Sequence, residues 1–280
     1  MKKNSIIIVT AVLYSLLLVL QSGCKKGGAQ KLNQRNWQLV WSDEFNGSAG
    51  LSPDSTKWAF DIGTGPNNDG WGNSELEYYT NRPTNASLDG NGNLAITARA
   101  ESYAGLSYTS SRIKTAGLFD QTYGRFEARM RMPWGPGIWP AFWLLGSNVG
   151  SAGWPQCGEI DIMELRGQKP SIINGTVHGP GYSGAAGITK SFGLENDRFD
   201  VNFHVFAVEW GENYIDFFVD NTLYQEITPG SVTGNWVFNH PFHIIINVAV
   251  GGNYVGFPTS QTPFPQTMLV DYVRVYREAD

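Results

Sequence analysis

The run Gly158-Glu-Ile-Asp-Ile-Met-Glu-Leu-Arg166 limits what this chain can fold into more than any other stretch. Three carboxylates, Glu159, Asp161 and Glu164, are interleaved with Ile160, Ile162, Met163 and Leu165. On a helical wheel those apolar residues scatter and form no stripe, which argues against a helix. Strand periodicity places Glu159 and Asp161 on one face and Ile160 and Ile162 on the other. Strict alternation would then turn Glu164 towards the apolar face and Leu165 towards water. One extra residue, at Met163, corrects both side chains at once, so the sequence predicts a β-strand with a β-bulge.

Three acids on one strand face repel each other, and a merely solvated edge has no reason to carry Ile-Ile-Met-Leu on its reverse. Crowding raises at least one carboxyl pKa, leaving a protonated group beside an ionised one near neutral pH. Glycoside hydrolysis uses that division, with a proton donor at the leaving oxygen and an anion at the anomeric carbon.

The rest of the chain reads as one all-β domain, rich in glycine (33 residues) and in short alternating runs, with no helical stripe and no internal repeat. Strands are expected at 37–45, at 93–99 after the turn Asp89-Gly90-Asn91-Gly92, at 125–131, at 172–178 and at 268–276. Residues 203–210 and 214–220 read as a hairpin about Gly211-Glu212-Asn213, and 242–250 as a strand covered on both faces. The stretch Ser111–Thr115, leading through Gly117 to Tyr123 and the strand at 125–131, reads as a further hairpin region.

Tryptophan is concentrated before the acid strand, at Trp134, Trp139, Trp143 and Trp154. Trp139, Ala141 and Trp143 share one strand face; such a row suits the C–H faces of pyranose rings, although tryptophans also fill cores. Asn247 is an odd residue to bury in an apolar strand without a task. His178 shares a face with Asn174 and Thr176, and no second histidine at ligand spacing makes a zinc site. A net charge of −5 without a basic block argues against nucleic acid as partner. Of the two cysteines, Cys157 reads as a small buried hydrophobe.

Cys24 ends a targeting segment. Lys2 and Lys3 precede an apolar run from Ile6 to Leu20, too short for a comfortable membrane span, and Gln21-Ser22-Gly23-Cys24 looks like a lipoprotein cleavage site. Gln21 departs from the aliphatic residue usual there. With Cys24 acylated, no disulfide framework remains within one mature chain. Residues 25–36 read as a short polar tether. The expectation is an exported protein held to a bacterial membrane by its lipid, periplasmic or at the cell surface, with plain secretion as the alternative.

Glu-x-Asp-x-x-Glu, flanked by Trp154-Pro155-Gln156-Cys157 and by the run from Gly175 to Gly184, resembles the signature of glycoside hydrolase family 16, in the bulged form of laminarinase-like endo-β-1,3-glucanases. The resemblance runs from about Trp37 to Arg277. It implies an antiparallel two-sheet β-sandwich of jelly-roll, concanavalin-like type with a concave cleft. It makes Glu159 the nucleophile, Glu164 the acid/base and Asp161 the residue that assists the nucleophile. It places Trp139, Trp143, Trp134, Trp154, Arg112 and Asn247 as substrate contacts, and His178 in the cleft near the acid/base. Asn73 and Glu75, in the cleft-edge segment from Trp71 to Tyr79, either contact sugar hydroxyls or brace a loop. Family members commonly hold one structural Ca²⁺, for which Glu44, the Gly92 carbonyl and Asp271 are the candidates by position; oxygen-only ligation suits that ion, and salt bridges are the alternative use of the two acids. The implied activity is retaining endo-hydrolysis of laminarin-type β-1,3-glucan, with tolerance for mixed β-1,3/1,4 linkages, by a monomer with no organic cofactor. Agarose, carrageenan or xyloglucan as substrate, and a non-catalytic glycan-binding sandwich, are the other readings; the bulge and the three retained acids argue against them.

Overall fold

The computed structural model describes residues 35–279. The targeting segment, Cys24 and the tether up to residue 34 lie outside the described residues. Two sheets form the domain, and their pairings are antiparallel with one exception. The seven-stranded sheet runs in the order β12 (Ile188–Gly193), β11 (Ile172–His178), β10 (Glu159–Leu165), β9 (Ile138–Gly146), β16 (Phe242–Val250), β7 (Arg112–Lys114) and β2 (Ala59–Asp61). The other sheet runs β15 (Thr222–Ile227), β14 (Tyr214–Val219), β13 (His204–Gly211), β8 (Gly124–Arg131), β17 (Gln266–Glu278), β5 (Leu94–Tyr103), β6 (Leu106–Ser110) and β3 (Glu77–Tyr79). Two further strands join it: β1 (Trp37–Asp43) on β17 and β4 (Ala86–Leu88) on β5. The single α-helix among the described residues, α1 (Val149–Ala152), is one turn long.

The core lies between the sheets and follows the period of two. Phe126, Ala128 and Met130 face it from β8, Phe142 and Leu144 from β9, and Ile244, Ile246 and Val248 from β16, all fully buried. Each large side chain so buried contributes about 1.5–3 kcal/mol. β16 is covered on both faces, as its apolar run predicts, and Asn247 is only 6% exposed within it. The β13–β14 hairpin turns at Glu212–Asn213 as expected. Cys157 is fully buried, and burial pushes its thiol up to about 11.

The hairpin expected between Ser111 and Arg131 does not form. β7 pairs with β16 and β2 in one sheet, while β8 pairs with β13 and β17 in the other. The segment 115–123 carries the chain across the sandwich instead. β5 also runs four residues beyond Arg99, turning at Ala104–Gly105 into β6. Those four residues carry little apolar alternation, so nothing in their pattern announced them.

Candidate active site

The acid strand is β10, and its bulge is present. Asp161 pairs with Trp143 of β9 while Met163 pairs with Phe142, so β10 spends one residue more than its neighbour. On the other side Asp161 opposes Thr176 and Glu164 opposes Asn174. The irregularity spans Ile162 and Met163, both buried in the core, and it returns Leu165 to full burial while Glu164 stays partly open. The extra residue expected at Met163 is thus shared with Ile162.

The three acids have different partners. Glu159 accepts a hydrogen bond from Trp154 Nε1 at 3.0 Å. Asp161 is 4% exposed and lies against Glu159 closely enough for one proton to be shared between the two carboxyls. Glu164 accepts a hydrogen bond from Trp139 Nε1 at 3.0 Å. Burial, reinforced by the neighbouring acids, holds Glu159 and Glu164 above the usual carboxylate range; burial does the same to Asp161. Within the Glu159–Asp161 pair, the indole N–H of Trp154 and the nearby His178 oppose part of the upward push on Glu159, and the contact with Glu159 does the same for Asp161.

His178 Nε2 lies 3.1 Å from Asp161 Oδ2 and 3.7 Å from Glu159 Oε1. The register sets His178 opposite Glu159 and Asn174 opposite Glu164, and His178 is still near enough to act on Glu164.

From β9, Trp139 and Trp143 emerge on the same side as the acids, both partly exposed. Trp143 Nε1 donates to Asn247 Oδ1 at 2.8 Å, and Asn247 Nδ2 donates to the Tyr79 hydroxyl at 3.1 Å. Tyr79 in turn donates to Glu75 at 3.0 Å, and Asn73 Nδ2 donates to the other oxygen of Glu75 at 3.1 Å. Buried Asn247 therefore has a task, as the hinge of a chain reaching from the tryptophan to the cleft-edge loop. Glu75 is 8% exposed with both oxygens engaged, which favours loop bracing over sugar contact for that residue. The loop itself turns sharply at Gly70–Ser74; a Cβ on Gly70 would stand 2.4 Å from the Glu75 nitrogen, so only glycine fits there. Arg112 is sandwiched between Trp71 and Trp143, 4.5 and 4.8 Å from their ring centroids, and paired with Asp61 at 3.0 Å. Trp134 is 40% exposed beneath Arg198, and its partners are Arg198 and Gln266 and none of the acids.

Tyr79, Tyr254 and Arg166 belong to this neighbourhood and were missed in the sequence. Tyr254, in the loop after β16, packs at a tilt against Trp139 with centroids 5.0 Å apart and accepts a hydrogen bond from Asn174. Arg166 lies 4.2 Å from the Tyr254 centroid. The parity of Arg166 with Glu164 was a usable signal; nothing local marked either tyrosine.

The residues expected to hold a metal are on the other sheet. β1 and β5 lie end to end along the same edge of β17, so Glu44, Gly92 and Asp271 come from adjoining backbone at that junction. Their side chains are engaged: Glu44 gives both oxygens to Arg274, and Asp271 pairs with Arg129. All four side chains are about a third exposed or more, so solvent screens both ion pairs.

A two-sheet jelly roll with paired acids on one bulged strand defines a glycoside hydrolase scaffold. The family description "Glycosyl hydrolases family 16" matches residues 73–274, and the chain belongs to that family. It is 43% identical to a beta-glucanase of Rhodothermus marinus over 278 residues, covering 96% of this chain and 94% of that protein. Among solved structures, the laminarinase catalytic domain of Thermotoga maritima shares 46% identity at a TM-score of 0.82, covering 88% of this chain and all of the other. The endo-beta-1,3-glucanase of Pyrococcus furiosus gives 46% and 0.83, covering 89% and 97%.

Proposed function

We propose that this protein is a retaining endo-β-1,3-glucanase acting on laminarin-type β-glucan, with mixed β-1,3/1,4-glucan as a secondary substrate. The observation that carries this reading is the bulge, which presents Glu159 and Glu164 on one side of a single strand with different hydrogen-bond donors. Glu164, held protonated by its buried and acid-crowded setting, gives its proton to the glycosidic oxygen. Glu159 attacks the anomeric carbon, and Asp161 holds it in orientation. Water then resolves the glycosyl-enzyme with Glu164 as base, a course that needs the two carboxyls about 5–5.5 Å apart. Trp139, Trp143 and Trp154 offer ring faces to pyranoses, with Arg112 and Asn247 fixing Trp143. A reducing-sugar assay on laminarin, with proton NMR of the first product, tests this. The β-anomer should appear before mutarotation; an initial α-anomer, or no release from any β-glucan, would refute it.

Glu44, the Gly92 carbonyl and Asp271 are oxygen donors that would hold a structural calcium ion, whose role is to tie β1 and β5 to β17. Chelation should then lower the melting temperature, and added calcium should restore it. Acylated Cys24 anchors the exported protein, so Cys24→Ala should release it from the membrane fraction. The enzyme acts as a monomer, eluting in size exclusion at the mass of one chain.

A further inference from the structure

Glu164 is faced by Glu159 and Asp161 from its own strand, by His178 from β11 and by the Trp139 indole from β9. The loop after β16 adds Tyr254, whose hydroxyl is pushed up by burial and by the nearby Glu164. One cation stands close by, just past the end of the same strand: Arg166, of the same outward parity and about 7 Å further along. An arginine that reached Glu164 would pair with it, and an opposite charge at contact lowers a carboxyl pKa by about 1–3 units. Arg166 does not do so. Its guanidinium lies over the Tyr254 ring, 4.2 Å from the centroid, and also reaches the Tyr254 hydroxyl, while its buried Nε has no hydrogen-bond partner. Tyr254 is itself fixed from two sides. Its ring packs on Trp139, and its hydroxyl accepts from Asn174, the residue opposite Glu164. Ser191 in turn donates to Asn174.

We propose that Tyr254 is a positioning residue for the acid/base: its ring takes up the Arg166 guanidinium that would otherwise pair with Glu164, and braces the indole that hydrogen-bonds the acid. The proposal rests on Glu164 being the proton donor. Its consequence is a protonated Glu164 at the pH where the enzyme works, in spite of an arginine two residues away. A cation over an aromatic face in a partly buried site is a stable resting place for that charge.

The test is the pH profile of kcat/KM on laminarin for wild type, Tyr254→Phe, Tyr254→Leu and Tyr254→Leu with Arg166→Gln. Its basic limb reports the acid of the free enzyme. Tyr254→Leu keeps apolar packing on Trp139 but offers no π face, so Arg166 is released and the limb should move down by about one pH unit or more. Tyr254→Phe keeps the ring and loses only the hydroxyl contact to Arg166, so its limb should stay nearer wild type than that of Tyr254→Leu. The double variant should return towards wild type, because the released charge is gone. A limb unmoved in Tyr254→Leu, or one that stays shifted in the double variant, overturns the proposal; a merely structural role would lower kcat without moving the limb. If Tyr254→Leu fails to fold by circular dichroism, Tyr254→Met takes its place with the same expectation. A wild type inactive on every β-glucan would refute the functional reading instead, so the two failures are distinguishable.

Discussion

Each acid in this site owes its state to one or two named neighbours, and substitutions there have separable outcomes. Glu159→Ser, Glu159→Gln and Glu164→Gln should leave folding intact and lower laminarin hydrolysis by several orders of magnitude, whereas Asp161→Asn should cost less because it orients and does not bond to sugar. Azide should rescue Glu159→Ser through a glycosyl azide, since a small anion fills the missing nucleophile's place; rescue of Glu164→Gln but not Glu159→Ser with that anomer would reverse the assignment. Burial and the other two acids hold Glu164 above the ordinary value, so its proton persists to higher pH. The basic limb of kcat/KM should therefore lie well above about 4.3, the unperturbed glutamate value, and vanish in Glu164→Gln. Trp143→Ala should weaken oligosaccharide binding about fivefold or more. It should destabilise by less than the 3–5 kcal/mol of a core tryptophan, because its ring is partly open; titration beside thermal melting separates the two. The acids were legible in the sequence because crowding and alternation conflict visibly there. Tyr79 and Tyr254 were not, since each acquires its task only from a strand or loop far away in the chain.

At the level of elements, the period of two identified strands well and their partners poorly. β16 is legible to its ends because a run that is apolar but for His243 and Asn247 is covered on both faces. β7 was assigned to the wrong neighbour because three residues of alternation carry no information on which sheet receives them. The bulge was legible for the opposite reason: Glu164 and Leu165, an acid and an aliphatic, independently required the same offset. Deleting Met163 tests that logic. One outcome keeps the downstream pairing and turns Glu164 inward and Leu165 outward, which buries a carboxyl and exposes a leucine. The other heals the strand to Glu-Ile-Asp-Ile-Glu, which alternates without interruption and keeps all three acids together. The second is expected, so the variant should fold with a modest loss of stability and retain measurable hydrolysis. A variant structure with Glu164 facing away from Glu159 would sink this expectation.

For the molecule as a whole, acids with shifted pKa values set how stability depends on pH, and they divide into two groups of opposite sign. Glu44, engaged by Arg274, and Glu101, engaged by Thr109 and Arg82, are held below their ordinary values. Their contribution is present above the unfolded carboxylate pKa and is lost in acid. Glu77 on β3 belongs to the other group. It is fully buried, one oxygen accepts the Val250 N–H at 2.6 Å, and the other has no partner. Burial, and then the neighbouring Glu75, hold it well above the usual range, so the folded protein carries a proton there that the unfolded chain releases near pH 4. A raised folded pKa gives stability that is fully present below the unfolded value and is lost as pH rises through the folded one. Glu159, Asp161 and Glu164 act in the same direction. The melting temperature should accordingly fall at both ends of the pH range, with Glu77 among the groups responsible on the alkaline side. Glu77→Gln isolates its share: the amide oxygen still accepts from Val250, and no ionisation is left to drive. Melting temperatures of wild type and Glu77→Gln should lie close together at pH 5, and the variant should be the more stable by pH 9. Curves that stay parallel across that range would show that Glu77 does not titrate with folding, and that its buried carboxyl is tolerated by another route.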